Sequence, residues 1–138
     1  MGGAERVILN IINQLENAGI QIVLLVLNYN GILKNELPKN ITIIKKKSRT
    51  LLSLFSLVQA LINHKPNIVF STHNRTNVLS LFTKQFFKDK TYIIREPNLP
   101  LKQKKILPYP IFLFSKIFYR LSDVAIAQTE EMKRQINK

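Results

Sequence analysis

Three short segments hold most of the side chains and backbone able to do chemistry in this chain. Arg95-Glu96-Pro97-Asn98 places a guanidinium, a carboxylate and an amide within one tight run. Arg95 can pair a phosphate, and Glu96 and Asn98 can hydrogen-bond hydroxyls, because charged partners give the stronger and more directional bonds. Thr72-His73-Asn74-Arg75 adds a hydroxyl, an imidazole and an amide. His73 can hydrogen-bond a hydroxyl, and His73 and Glu96 are the two candidates for a catalytic role. Each segment also has a plainer reading. Arg95 and Glu96 can pair with each other to order a loop, and Thr72–Asn77 can be a polar loop capping the next helix. The third segment is Gly2-Gly3-Ala4-Glu5-Arg6 at the chain start. Paired glycines before a helix let backbone approach a ligand and aim free N–H groups at an anion. Arg6, in the first helical turn, faces either a cleft or solvent. His64, beside Pro66, reads as structural.

The elements that must position these groups alternate along the chain. A helix is expected over Glu5–Ala18, with Val7, Ile8, Ile11, Ile12 and Leu15 on one face and Gly19 ending it. Gln21–Leu27 is a continuous apolar run, as in a strand covered on both faces. Asn28-Tyr29-Asn30-Gly31 is turn chemistry, and Ile41–Ile44 is a short strand after Pro38. A helix over Thr50–His64, capped by Thr50, buries Leu51, Leu54, Leu57, Val58, Leu61 and Ile62. Asn67–Ser71 is the next strand, followed by the polar loop and a helix through Leu79, Phe82 and Phe86. Tyr92–Arg95 is a strand, and a proline-rich connection from Pro100 to Pro110 leads to an aromatic helix ending near Leu121. Val124–Ala127 is the last strand, and a helix over Glu130–Lys138 is capped by Thr129. Strands separated by helices define an α/β fold with a parallel sheet. Both polar segments then sit at carboxyl ends of strands, where open α/β sheets bind ligands.

Composition narrows the classes. At 138 residues the chain is at most one domain, and 46% apolar with 21% charged residues lies in the globular range. There is no cysteine and there are two histidines, which excludes thiolate chemistry and leaves little for a metal site. The net charge of +13 points to nucleic acid, an anionic membrane surface, a phosphorylated substrate, or a lysine-coated surface. The clusters at Lys45-Lys46-Lys47 with Arg49, and at Lys102, Lys104 and Lys105, lack the interleaved aromatics of single-strand binders, which argues against nucleic acid. No secretory signal stands at the start, and no apolar run reaches the ~18 residues of a spanning helix. Pro108–Leu121 is different. It carries Ile111, Phe112, Leu113, Phe114, Ile117 and Phe118 among Lys116 and Arg120, just after Lys102, Lys104 and Lys105. A wide apolar face bordered by basic residues suits an interfacial helix on anionic lipid, and equally a helix packed on the sheet.

The order of five motifs carries a family resemblance: Gly2-Gly3-Ala4-Glu5-Arg6-Val7, Ile22–Leu27, Lys65-Pro66-Asn67-Ile68-Val69, Arg95-Glu96-x-Asn98 and Leu121-Ser122-Asp123-Val124-Ala125-Ile126-Ala127. Across nearly all 138 residues the chain resembles the N-terminal half of family 4 glycosyltransferases of the GT-B class, in particular those building bacterial polysaccharide or lipopolysaccharide. The resemblance implies one incomplete Rossmann-like acceptor domain over 1–138, a parallel sheet flanked by helices. It implies a hexosyltransferase-type reaction between a nucleotide-sugar donor and a lipid-linked or glycan acceptor, with retention, no cofactor and usually no metal. Gly2, Gly3, Arg6, Arg95 and Asn98 would bind substrate or donor phosphate. Thr72, His73 and Asn74 would form an acceptor loop. Lys102, Lys104, Lys105, Phe112, Lys116 and Arg120 would meet the cytoplasmic face of an anionic membrane. Where many relatives carry a histidine this chain has Pro97, so His73 is the candidate for that part. The family's first strand precedes the glycine pair and lies between the strands at 21–28 and 67–71. The chain is therefore expected to be a fragment, marginal and inactive alone, completed by a donor domain of the same or another polypeptide. A non-catalytic basic module for anionic membrane or nucleic acid is the second reading. A dinucleotide-using enzyme half ranks last, since no full G-x-G-x-x-G is present.

Overall fold

The computed structural model describes residues 3–27, 36–46, 53–97 and 117–136, and the chain divides into two compact units, Met1–His64 and Lys65–Lys138. In the first unit, α1 (Gly3–Asn17) begins two residues earlier than the sequence suggests, so Gly3 is a helical residue. Glu5 lies in its first turn, where a carboxylate complements the positive end of the helix dipole. The buried line of α1 runs through Leu9 and Ile12, whereas Val7 and Leu15 are each 38% exposed, so the inward face is rotated from the expected stripe. Gly19 ends the helix at φ 76°, with Ile20 N–H donating to Leu15 O (3.0 Å) and Gly19 N–H to Glu16 O (2.9 Å). This is a Schellman cap, and its left-handed residue is the position where glycine is favoured.

β1 (Val23–Val26) pairs in parallel with β2 (Thr42–Lys45), Val23 opposite Thr42 and Val26 opposite Lys45. All four β1 residues are half-buried rather than covered on both faces. α2 (Ser53–His64) buries Ser53 and Leu61, holds Leu54, Leu57 and Val58 half-buried, and leaves Phe55 and Ile62 exposed. Thr50 and Leu51 lie outside the described residues.

In the second unit, β3 (Ile68–Thr72), β4 (Thr91–Glu96) and β5 (Val124–Ala127) form a parallel sheet with β4 in the middle. α3 (Asn74–Thr83) joins β3 to β4, and α4 (Glu130–Ile136) follows β5. Successive strand residues point to opposite faces. Val69, Tyr92 and Ile94 are buried on one face, while Ile68 and Phe70 on the other are 57% and 37% exposed. The Thr129 cap is present, Met132 N–H donating to Thr129 Oγ1 at 3.2 Å.

Asp123 shows why an acid stands just before β5. Its Oδ2 accepts the Tyr92 N–H (2.7 Å), its own N–H donates to Tyr92 O (3.0 Å), and Oδ1 lies 2.5 Å from Lys84 Nζ. One side chain thus ties the start of β5 to the start of β4 and to the turn after α3. The Lys84 ammonium first, and the Tyr92 N–H second, hold the Asp123 carboxyl below its ordinary value of 3.8. A lowered folded value means the stabilisation is complete above the ordinary value and is lost as pH falls through the folded one. Asp123→Asn should therefore cost about 1 kcal/mol at pH 7, since the group is partly exposed. It should also flatten the loss of stability below about pH 4 that the parent shows. Urea unfolding followed by circular dichroism at pH 7 and pH 3 measures both.

Candidate functional site

His73 alone links β3 to α3, at φ 74° and ψ 141°. The polar stretch 72–77 is therefore not a loop: Thr72 closes β3 and Asn74 opens α3. Thr76 is the local cause. Its hydroxyl donates towards the carbonyls of Thr72 and His73, the latter at 2.9 Å, and Asn77 N–H donates to His73 O at 2.9 Å. Helix hydrogen bonding thus begins at once. No side chain caps the α3 N-terminus.

The inward line of α3 is polar. Asn74, Asn77, Ser80 and Thr83 recur every third residue and all are buried, with Leu81 beside them. Asn77, fully buried, accepts Ser71 Oγ–H on Oδ1 (2.9 Å) and donates from Nδ2 to Arg95 O (3.1 Å) and Tyr119 Oη (3.2 Å). Asn74 Nδ2 donates to the same Tyr119 oxygen at 3.3 Å. Tyr119, on the helical turn at 117–119, donates its hydroxyl proton to Glu96 Oε2 at 2.5 Å. A phenol has one proton and two lone pairs, so its capacity is filled. Burial first, and the Glu96 charge second, push the Tyr119 phenol far above its usual range. It stays a donor at any working pH. Glu96 itself is 1% exposed.

Arg95 occupies the other face of β4, opposite Thr72 in the register. Adjacent residues of a strand project to opposite faces, so Arg95 and Glu96 are held separately rather than as the loop-ordering pair. Arg95 is 2% exposed, and its Nη1 lies 3.5 Å from Thr72 Oγ1. Its Nη2 has no hydrogen-bond partner, nor have Asn74 Oδ1 and Ser80 Oγ. A buried polar atom without a partner costs ~1–3 kcal/mol, so Arg95 Nη2 on one face of the strand ends and Asn74 Oδ1 on the other are each open to a further hydrogen bond.

The structure thus brings Thr72, His73, Asn74, Arg95 and Glu96 to one end of the β3–β4 pair. His73 is exposed while Asn74 is buried. Arg6 and Gly3 are exposed on α1, in the first unit, and a side chain built at Gly3 would meet nothing within 4 Å. Arg120 is exposed. Gly2, Asn98, Lys102, Lys104, Lys105, Phe112 and Lys116 lie outside the described residues. Sequence reasoning missed Ser71, Asn77 and Tyr119. The every-third polar residues of α3 were a visible signal for Asn77. Tyr119 had none, standing in a run that reads as apolar.

Parallel strands joined through helices, with polar groups gathered at their carboxyl ends, define a Rossmann-like α/β protein. A crystal structure described as a UDP-N-acetylglucosamine 2-epimerase from Listeria monocytogenes has the same fold, with a TM-score of 0.65 at 15% identity. The match covers 91% of this chain and 36% of that one, so the chain spans about a third of that protein's length. The family model described as Glycosyltransferase Family 4 matches residues 1–138, and the chain belongs to that family. The fold is thereby that of the GT-B class. No curated protein matches the chain.

Tyr119→Phe tests how far the cluster depends on one hydroxyl. It strips a donor from Glu96 and an acceptor from both asparagines, and should destabilise the second unit by about 1–3 kcal/mol. Thermal and urea unfolding of the variant and parent measure it.

Proposed function

We propose that this chain is the acceptor-binding side of a glycosyltransferase that moves a sugar from a nucleotide-sugar donor to a lipid-linked or glycan acceptor. Both units, 1–138, form part of one Rossmann-like domain. A donor-binding domain, on the same or another polypeptide, completes the site, and the chain alone does not transfer sugar. The observation that carries this reading is the buried Glu96, fixed by Tyr119 and flanked by Asn74 and Arg95 at the strand ends of a family 4 glycosyltransferase chain. A fixed carboxylate and amide suit sugar hydroxyls, whose donors and acceptors need directional partners. In transfer, the acceptor oxygen forms the new bond to the sugar's anomeric carbon, the nucleoside diphosphate leaves, and the acceptor proton passes to a base or to the leaving phosphate. Glu96 and the exposed imidazole of His73 are positioned to orient the acceptor. Gly2, Gly3, Arg6 and Asn98 serve the donor phosphates.

The test is nucleoside diphosphate release by the complete gene product, offered a panel of nucleotide sugars with lipid-linked and glycan acceptors. Glu96→Gln should lower kcat/KM about 100-fold, within the range for a positioned carboxyl group. Failure of every donor to yield product, with no saturable donor binding, would sink the reading.

A second feature favours attachment to the cytoplasmic face of an anionic membrane. No helix among the described residues is long and apolar enough to cross a bilayer. Yet Phe86 is 71% exposed, Ile117 is 56% and Phe82 is 38%. Phe82 stacks edge-on with Phe86 at 5.7 Å and lies 6.2 Å from the Phe118 ring. Exposed Lys88 and Arg120 lie in the same two segments. Aromatic groups with cationic neighbours suit an interfacial contact. In co-sedimentation, vesicles rich in phosphatidylglycerol should retain the protein and pure phosphatidylcholine should not. Phe86→Ser should weaken retention about tenfold, on the scale of one buried aromatic side chain. Binding indifferent to both salt and anionic lipid would count against attachment.

A further inference from the structure

We propose that Asn74 is the specificity-determining residue of the acceptor site, its carbonyl oxygen taking a hydrogen bond from one hydroxyl of a neutral sugar ring; this rests on the acceptor-side reading above and names the class of sugar that fits it. Asn74 is 8% exposed and stands just past the carboxyl end of β3, beside the exposed His73. Its Oδ1 has no hydrogen-bond partner and is closed to bulk water. The orientation of the amide is fixed by its surroundings. Tyr119 gives its one proton to Glu96 Oε2 (2.5 Å), so towards both asparagines its oxygen can only accept. Asn77 Nδ2 fills one lone pair at 3.2 Å and Asn74 Nδ2 the other at 3.3 Å. Turning the Asn74 amide over would set its carbonyl against an oxygen with no proton to give. Nδ2 therefore stays on Tyr119, and Oδ1 stays the unmatched end.

That end selects by chemistry. A carbonyl oxygen only accepts, so the group that completes it must donate, as a hydroxyl does and a phosphate or carboxylate does not. Glu96, 1% exposed and joined to Asn74 through the Tyr119 oxygen, adds a carboxylate to the same cluster. An anion brought in beside it would meet like charge where water screens least. Arg95 does not answer that charge, since the register sets its side chain with Thr72 on the opposite face of the sheet. Arg75 is exposed. A buried acceptor left unmatched by an analogue lacking the hydroxyl discriminates strongly between the two sugars. Ser80 Oγ is the internal comparison. It too is unpartnered, at 2% exposure, but it lies nearly two turns further along α3, away from the strand end.

The test is a cycle between one protein group and one ligand hydroxyl, read by calorimetric titration of the complete gene product. The probes are the methyl glycosides of glucose, galactose, mannose and N-acetylglucosamine, with glucuronate, galacturonate and glucose 6-phosphate as anions. At least one neutral glycoside should bind about tenfold or more tightly than every anion. Among its single-deoxy derivatives, one should bind about tenfold more weakly to the parent and less than twofold more weakly to Asn74→Leu. Asn74→Leu removes the orphaned oxygen at similar volume, so its Tm should be no lower than the parent's. Ser80→Ala, which also removes an orphan, should leave glycoside affinity unchanged. Anions bound as tightly as the neutral sugars, no glycoside binding at all, or Asn74→Leu lowering Tm with glycoside affinity unmoved would overturn the proposal. Should Asn74→Leu fail to fold, the deoxy series on the parent still decides: no hydroxyl worth more than about threefold would overturn it. Sugar transfer by a protein whose acceptor KM ignores Asn74→Leu would overturn this inference and leave the transferase reading intact. Glycoside binding coupled to Asn74, in a protein that transfers from no donor, would support the hydroxyl subsite and overturn the transferase.

Discussion

The side chain of Asn77 is the point on which the second unit turns. It is buried without exposure and makes three hydrogen bonds, to Ser71 on β3, to the Arg95 carbonyl on β4 and to Tyr119. An amide has two donor hydrogens and a carbonyl, and each end is engaged. That satisfaction lets a polar residue occupy the inward face of a helix at little net cost. It also fixes α3 in rotation and height against the strand ends. An apolar residue there would pack but would not specify which carbonyl, hydroxyl and phenol must meet. The positions of Glu96 and Arg95 follow from this one orientation.

Polar interiors of this kind trade stability for definition. Each satisfied bond contributes about 0.5–1.5 kcal/mol net, while each orphaned atom costs more than that. The seam along α3 mixes both. Thr83 is satisfied by the Ser80 carbonyl (2.6 Å) and the Tyr92 hydroxyl (3.2 Å), whereas Ser80 Oγ is not. Lower down, apolar and ionic ties compensate: Leu81 and Ile94 are almost fully buried, and Asp123 fastens both strands to Lys84. The Asp123 ties thus lie at the start of β4 and β5, while the unpartnered Arg95 Nη2 and Asn74 Oδ1 lie near the carboxyl ends of β4 and β3, the end where ligands bind in open α/β sheets.

Much of this was legible from residue order. The alternation of apolar runs with periodic stretches located every strand among the described residues, because a parallel strand and an amphipathic helix differ in period. Gly19 and Thr129 marked a helix end and a helix start through their cap chemistry. The site was legible at Arg95 and Glu96, since charged residues closing an apolar strand stand out. What could not be read was depth. Asn74, Asn77, Ser80 and Thr83 look like a solvated face, and the partner that receives the two asparagines, Tyr119, lies more than forty residues away. Nor could spacing reveal that α1 turns Leu9 inward rather than Val7, because two adjacent stripes of the same helix are almost equally apolar.

The strained link at His73 belongs to the same logic. A non-glycine residue at positive φ costs of order 1 kcal/mol or more, and glycine would avoid the cost. A longer connection would avoid it too, but would raise α3 by part of a turn and carry Asn77 away from Ser71 and the Arg95 carbonyl. The one-residue link forces the helix to start at the level of the strand end. It leaves the uncapped amides of α3 at the end of β3, with the His73 imidazole exposed. Thr76, bonded to the carbonyls on both sides of the His73 peptide link, holds the turn in place. Local strain, helix height and the chemistry at the strand ends are thus one constraint, set by the distance between Thr72 and Asn74.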